Sequence, residues 1–313
     1  MRQHSVQTPY MVGEAHYYSA EIGGSLVLFD TGPATPEALE LLRAEIDLSR
    51  LGYIFITHCH VDHYGLAATL VKESGARLLI PRLDAVKLKR HRERLERMEG
   101  ILKDCGFDGE FTATFRSIVD SKKILPTIPD SYEIVEESSV PEMLGIPWLS
   151  CPGHSQSDLV YCHGDWAVSG DILLRNIFQA PLLDVDLESF SGRFRNYDAY
   201  CDSLLKLATL RGRTILPGHR QGVKSVDDTI LFYVTKMLER AGEVNKHDPA
   251  VSVSEVVARL FGGSLVDPFF VYLKASEIVF MRDFLAEPER LRRSLEEIGL
   301  FPAVAGLFSQ VAP

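Results

Sequence analysis

The densest chemistry in the chain lies in one string, Thr57-His58-Cys59-His60-Val61-Asp62-His63-Tyr64-Gly65. His58, His60, Asp62 and His63 put three imidazoles and a carboxylate within six residues. These groups are ligands for borderline and harder divalent metals, and neighbouring loop positions can aim them at two different ions. One such residue is commonly structural, whereas four together describe a site. Three further strings carry the same ligand types: Cys151-Pro152-Gly153-His154-Ser155, Ser169-Gly170-Asp171 and Pro217-Gly218-His219. Each alone reads as an ordinary turn with a polar residue, and their order along the chain gives them weight. No GxSxG string is present, so a serine nucleophile elbow is not part of the reading. Cys59 and Cys151 read as small buried hydrophobes rather than ligands, and His4, His16, His91, His163 and His247 read as structural.

Ligands spread over the chain converge only if rigid elements bring them to one edge. Residues 10–20 and 25–29 form β-rich runs joined through Gly23-Gly24, a hairpin signal, and the second run stops at Asp30-Thr31-Gly32-Pro33. Thr35 as cap and Pro36 as first residue open a helix with Leu39, Leu42 and Ile46 on one face. Residues 53–57 read as a buried strand feeding the polar loop 58–65, followed by a helix over 66–74 and a strand over 77–80. Residues 82–131 break this alternation with a charged helical run and a loop-prone stretch containing Pro126 and Pro129, and read as an insertion. Strand-like runs return at 146–151, 159–163, 166–169 and 214–216, with a helix over 197–210. Each candidate ligand thus follows a strand-like run. Beyond residue 222 the pattern is mostly helical, with starts at Asp227, Ser254, Pro268 and Pro288 and no internal repeat.

Taken together, the first string resembles the HxHxDH signature of the metallo-β-lactamase superfamily. The three later strings and Leu28-Phe29-Asp30-Thr31-Gly32 follow in that family's order across residues 10–222. The resemblance implies an αββα sandwich, here with a helical insertion at about 82–131 and a C-terminal helical lobe. It divides the chain into a catalytic domain over 1–222 and a lobe over 223–313. It also implies that His58, His60 and His154 hold one metal, that Asp62, His63 and His219 hold a second, and that Asp171 bridges them. Asp30 would hold the histidine loop in place. Two cations sharing a water lower its pKa and polarise a carbonyl or phosphoryl oxygen, so hydrolysis by a metal-bridging hydroxide oriented by Asp62 is the expected reaction. Two departures stand out: Arg220-Gln221 follows His219 where many relatives have glycine, and Asp158 stands where thioester hydrolases of the family often carry a histidine.

Composition bounds the rest. A chain of 313 residues, 46% hydrophobic and 24% charged, is that of a globular protein. The net charge of -10 argues against a grip on nucleic-acid backbones. Five scattered cysteines suit a reducing compartment, which places the chain in the cytoplasm. No apolar run is long enough for a membrane span, and the lack of an apolar leader sets β-lactam hydrolysis aside. The expected function is a dinuclear metal-dependent hydrolase of a small-molecule ester, thioester or lactone, using two divalent ions, zinc first, with iron or manganese also suited. Three alternatives remain: an iron-dependent oxygenase or oxidoreductase, a regulatory or partner-binding protein retaining the metal site, and a phosphodiesterase or ribonuclease. No substrate-binding residue is assigned. Lys87, Lys89, Arg90, Arg92, Arg94 and Arg97 read first as a solvated helix face and second as an anion-recognising overhang. The apolar residues of 171–186 suit either an entrance or the core, and the C-terminal lobe suits either a cap or a homodimer surface.

Overall fold

The computed structural model describes residues 1–121, 127, 131–262 and 267–312. Pro126 and Pro129 of the loop-prone stretch lie outside the described residues. Six strands, β1 (Arg2–Gln7), β2 (Glu14–Ile22), β3 (Ser25–Phe29), β4 (Leu51–Phe55), β5 (Arg77–Ile80) and β6 (Glu133–Ile134), form one sheet in that order. Neighbours are antiparallel from β1 to β3 and parallel from β3 to β6. A second sheet has the order β10-β9-β8-β7, from β7 (Trp148–Ser150), β8 (Leu159–His163), β9 (Trp166–Gly170) and β10 (Thr214–Pro217), with β10 parallel to β9. The Gly23-Gly24 hairpin is present, but its first strand begins at Glu14 and the preceding residues form a turn after β1, a strand the hydrophobic pattern did not announce.

Side-chain alternation along the strands sorts the core into three layers. In β3, Leu28 packs outward while Val27 and Phe29 face the second sheet; in β5, Leu78 and Ile80 face outward and Leu79 inward. The second sheet mirrors this: Leu159, Tyr161 and Val168 point between the sheets, while Val160, Cys162, Ala167 and Ile215 point the other way. Phe29, Phe55, Tyr161 and Trp166 meet in the middle layer, with ring centroids 5.3 to 5.7 Å apart. Each such aromatic pair contributes about 0.5–1.5 kcal/mol beyond area burial, so this layer fixes one sheet over the other.

Helices cover both outer faces, which makes the fold an αββα sandwich. On the first sheet lie α1 (Pro36–Glu45), α2 (Val61–Tyr64), α3 (Ala67–Ser74) and the start of α4 (Arg82–Lys89). Thr35 Oγ1 accepts the Ala38 amide at 3.2 Å, and Pro36 opens α1 without forfeiting a hydrogen bond. The insertion continues through α5 (His91–Asp104) and α6 (Gly109–Val119), and a short helix, α7 (Val140–Met143), precedes β7. The second sheet is covered by α8 (Asn196–Ala208), α9 (Val226–Val244), α10 (Val253–Phe261), α11 (Pro268–Ala286), α12 (Pro288–Glu297) and α13 (Phe301–Val311). The four expected C-terminal helices start within one residue of their signals. Helix α13 carried no separate start signal, because Pro302 lies inside an apolar run. Val234, Phe280, Leu295 and Phe308 of these helices share one continuous apolar core with Leu102, Val160 and Ile215.

Candidate metal centre

Parallel strands end at a common edge, and the candidate ligands stand there: Asp30 after β3, the histidine loop after β4, Asp171 after β9 and His219 after β10. The loop after β7 brings His154 to the same edge. Strand ends from the two sheets are stitched together directly. The Leu159 amide donates to the Thr57 carbonyl at 3.0 Å, Tyr161 Oη donates to the Ile56 carbonyl at 2.7 Å, and the His16 amide donates to the Gly218 carbonyl at 2.7 Å. The loop expected over residues 58–65 contains a single helical turn, α2, which turns Asp62 and His63 inward.

The ligand atoms fall into three overlapping groups, each within 4.8 Å: His58 with His60 and His154; His58 with His63 and Asp171; and Asp62 with His63 and His219. All seven sequence-derived candidates are therefore brought together, and all but His60 are buried. His58 Nε2 stands 2.8 Å and His154 Nε2 3.1 Å from His60 Nδ1. On the other side, Asp171 lies 3.4 Å from His63 Nε2 and 3.4 Å from His219 Nε2, while Asp62 Oδ2 lies 3.2 Å from His219 Nε2. Asp171 Oδ2 also comes within 3.8 Å of His154 Nε2, so this carboxylate faces both sides.

Most of the rings are aimed by a hydrogen bond at their far nitrogen, which leaves the other nitrogen for the cluster. His63 Nδ1 donates to Asp30 Oδ2 at 2.9 Å, His154 Nδ1 to the Ala180 carbonyl at 2.9 Å and His219 Nδ1 to the Glu14 carbonyl at 2.7 Å. Asp30 also accepts the Thr57 amide and hydroxyl, each at 2.8 Å, and His58 Nδ1 donates to that hydroxyl oxygen at 3.1 Å. To do so Asp30 adopts φ +59, a left-handed backbone uncommon for a residue with a Cβ and typical of functional strain. Gly218 is required by space: a Cβ there would come 2.5 Å from both Asp171 Oδ1 and His63 Cε1.

Electrostatics divide the cluster. Burial, reinforced by neighbouring imidazoles, holds His58 and His60 well below the usual imidazole range. Burial pulls His63 and His219 the same way, but Asp171 and the other carboxylates override it, holding His63 well above that range and pushing His219 up to about 10. The cationic imidazoles in turn outweigh burial at Asp171 and Asp62, both held below the usual carboxylate range.

Three buried atoms here, His63 Nε2, Asp171 Oδ1 and His219 Nε2, lie within ion-pair range of one another's groups but make no well-formed hydrogen bond among the described residues. Leaving such groups unsatisfied costs about 1–3 kcal/mol each, and their convergence fits a bound divalent cation. The sequence of the motifs and this geometry agree with a family model of the metallo-beta-lactamase superfamily, which matches residues 12–219. The chain belongs to the metallo-beta-lactamase superfamily.

Solved structures of this superfamily share the fold. A metallo-beta-lactamase family protein from Thermus thermophilus is 20% identical with a TM-score of 0.70, the match covering 92% of this chain and 94% of that one. A beta-lactamase domain protein from Burkholderia ambifaria is 18% identical with a TM-score of 0.67, over 91% and 85% of the two chains. No curated protein matches the chain.

The remaining histidines lie outside the three groups. His4 bonds Glu45 and Ser19, His16 bonds Ser5 and the Arg220 carbonyl, His91 bonds Asp120 and His163 bonds the Gly145 carbonyl. All five cysteines are buried and free. Much of the basic cluster is engaged within the fold: Lys87 with Asp84, Arg90 with Glu93 and the Phe190 ring, and Arg94 with Asp184. Sequence reasoning passed over Thr57 and the carbonyls of Ala180 and Glu14. A hydroxyl beside a histidine was a usable signal, whereas a backbone carbonyl has no residue-type signature.

Proposed function

We propose that this chain is a dinuclear metal-dependent hydrolase acting on a small-molecule ester, thioester or lactone. The observation that carries the reading is the single buried cluster in which Asp171 faces both an all-imidazole trio and a mixed carboxylate-imidazole group. His58, His60 and His154 would hold one ion, Asp62, His63 and His219 the other, with Asp171 shared. Zinc is the first candidate, and the same nitrogen and oxygen donors suit iron or manganese. Such ions supply Lewis acidity and lower the pKa of water near neutrality. Within the chain, Asp62 orients the attacking water and the histidine anchors keep the ligands rigid. The enzyme acts in the cytoplasm, without nucleic acid or membrane partners, and a homodimer through the C-terminal helices is compatible with this role. Among the described residues no helix is long and apolar enough to cross a membrane.

Elemental analysis of protein purified without chelator, followed by ester, thioester, lactone and phosphodiester panels, tests the proposal. Close to two equivalents of zinc, iron or manganese with turnover of an ester-type substrate is the expected result. A single iron with oxygen consumption would replace it with the oxygenase reading. Phosphodiester turnover alone would replace it with the nuclease reading, and metal without any turnover would favour partner binding.

A further inference from the structure

The peptide between the two leading histidines is gripped from outside the histidine loop. Asp84, in the first turn of α4, is fully buried, and its Oδ2 accepts the Cys59 amide at 2.7 Å. Lys87, one turn later, donates from Nζ to the Cys59 carbonyl at 3.0 Å and lies 2.5 Å from Asp84 Oδ1. One ion pair therefore holds both polar groups of a single residue, Cys59, whose neighbours on either side are His58 and His60. The Lys87 side chain is only 12% exposed, so this grip is shielded from solvent and from salt.

We propose that Asp84 and Lys87 are positioning residues for the all-imidazole half of the metal centre, a role that rests on the dinuclear reading above. His58 and His60 are two residues apart on a loop, and their ring nitrogens converge only while the intervening backbone keeps one orientation. Asp30 and Thr57 hold the entry to the loop and His63, whereas the hydrogen bonds to the Cys59 backbone come from Asp84 and Lys87. The Asp84–Lys87 pair fills that role, and it ties the insertion to the metals through backbone geometry rather than through substrate recognition.

Zinc titration of the full chain against a chromophoric chelator, resolved into its two equivalents, tests this. In Lys87→Met, zinc uptake at one equivalent is expected to weaken at least about tenfold, the range found when groups behind metal ligands are removed, while the other is unchanged. Lys87→Arg, which keeps the charge and a donor, is expected to restore most of the loss. Asp84→Asn is the second variant and is expected to weaken the same equivalent; its amide retains the shape and an acceptor for Cys59. Variants that bind both equivalents as the parent does would overturn the proposal, as would equal weakening of both equivalents in step with a lowered melting temperature. Failure of the unaltered chain to take up zinc, iron or manganese would instead sink the dinuclear reading on which the proposal stands.

Discussion

The two halves of the metal cluster differ in enclosure, since His60 of the first is only half-buried while all of the second is buried, and they solve the problem of a polar site differently. The trio His58, His60 and His154 carries no carboxylate, and burial among like imidazoles keeps His58 and His60 neutral, with nitrogen lone pairs available. The group Asp62, His63 and His219, with Asp171 beside it, neutralises itself in the metal-free state by holding protons on two imidazoles between two carboxylates. The first half is organised to accept an ion directly; the second must exchange protons for it. Their supports differ in part: the Asp84 and Lys87 side chains grip the Cys59 backbone between His58 and His60, whereas Asp30 holds His63 directly and Gly218 leaves room for His63 and Asp171.

The most severe way to break this comparison is to remove the group both halves share. Asp171→Ala is expected to lower metal content at both halves and abolish hydrolytic turnover, measured by elemental analysis and assay together; near-normal values for both would end the paired-metal reading. Gly218→Ala should act most strongly on the mixed half, through His63, and reach the trio only through the shared Asp171. Its methyl group collides with Asp171 and His63, so a stability loss of about 1–3 kcal/mol in a denaturant melt should accompany loss of one metal equivalent. Asp30→Asn weakens the anchor of His63 and is expected to reduce affinity at that half roughly 10- to 100-fold, read by chelator competition, with the trio largely retained.

Acidity sharpens the contrast. His219, pushed up to about 10, and His63 both bear protons at neutral pH in the metal-free chain. Metal uptake at the mixed half should therefore tighten as pH rises from neutrality toward about 10, while uptake at the trio changes little. The sign for stability is opposite. The contribution of protonated His219 to the metal-free fold is complete below its ordinary 6.5 and is lost as pH climbs through about 10, so melts of the metal-free chain should decline across that window. At the small end, Arg92→Ala on the exposed side of α5 should move neither half and shift stability by less than about 0.5 kcal/mol.

Much of the centre was legible before any coordinates because ligand chemistry is carried by residue type. His58, His60, Asp62, His63, His154, Asp171 and His219 each follow a short apolar run, and the strand ends of two packed mixed sheets deliver such positions to one edge. The hairpin at Gly23-Gly24 and the cap at Thr35 were legible for a similar reason, since local backbone demands select particular residues. Strand β1 was not: Val6 is the one apolar residue in its six, so no hydrophobic alternation announces it, and it is defined by its pairing with β2. Lys87 shows the same limit from the other side. Within a run of basic residues it read as part of a solvated face, and only the approach of α4 to the histidine loop gives it a carbonyl to hold.

What the amino-acid sequence determined by itself was the donor set, its grouping into turns after strands and the alternation that builds two sheets, because these depend on contacts between near neighbours. What the tertiary structure alone decided was which ligands share a space, which carbonyls aim their rings and which imidazoles keep a proton. Those properties arise from distances between residues far apart in the chain, such as Glu14 with His219 and Asp84 with Cys59, and from the exclusion of water around them. Burial and juxtaposed charge set the protonation of an imidazole, and neither exists until the sheets have closed over the site.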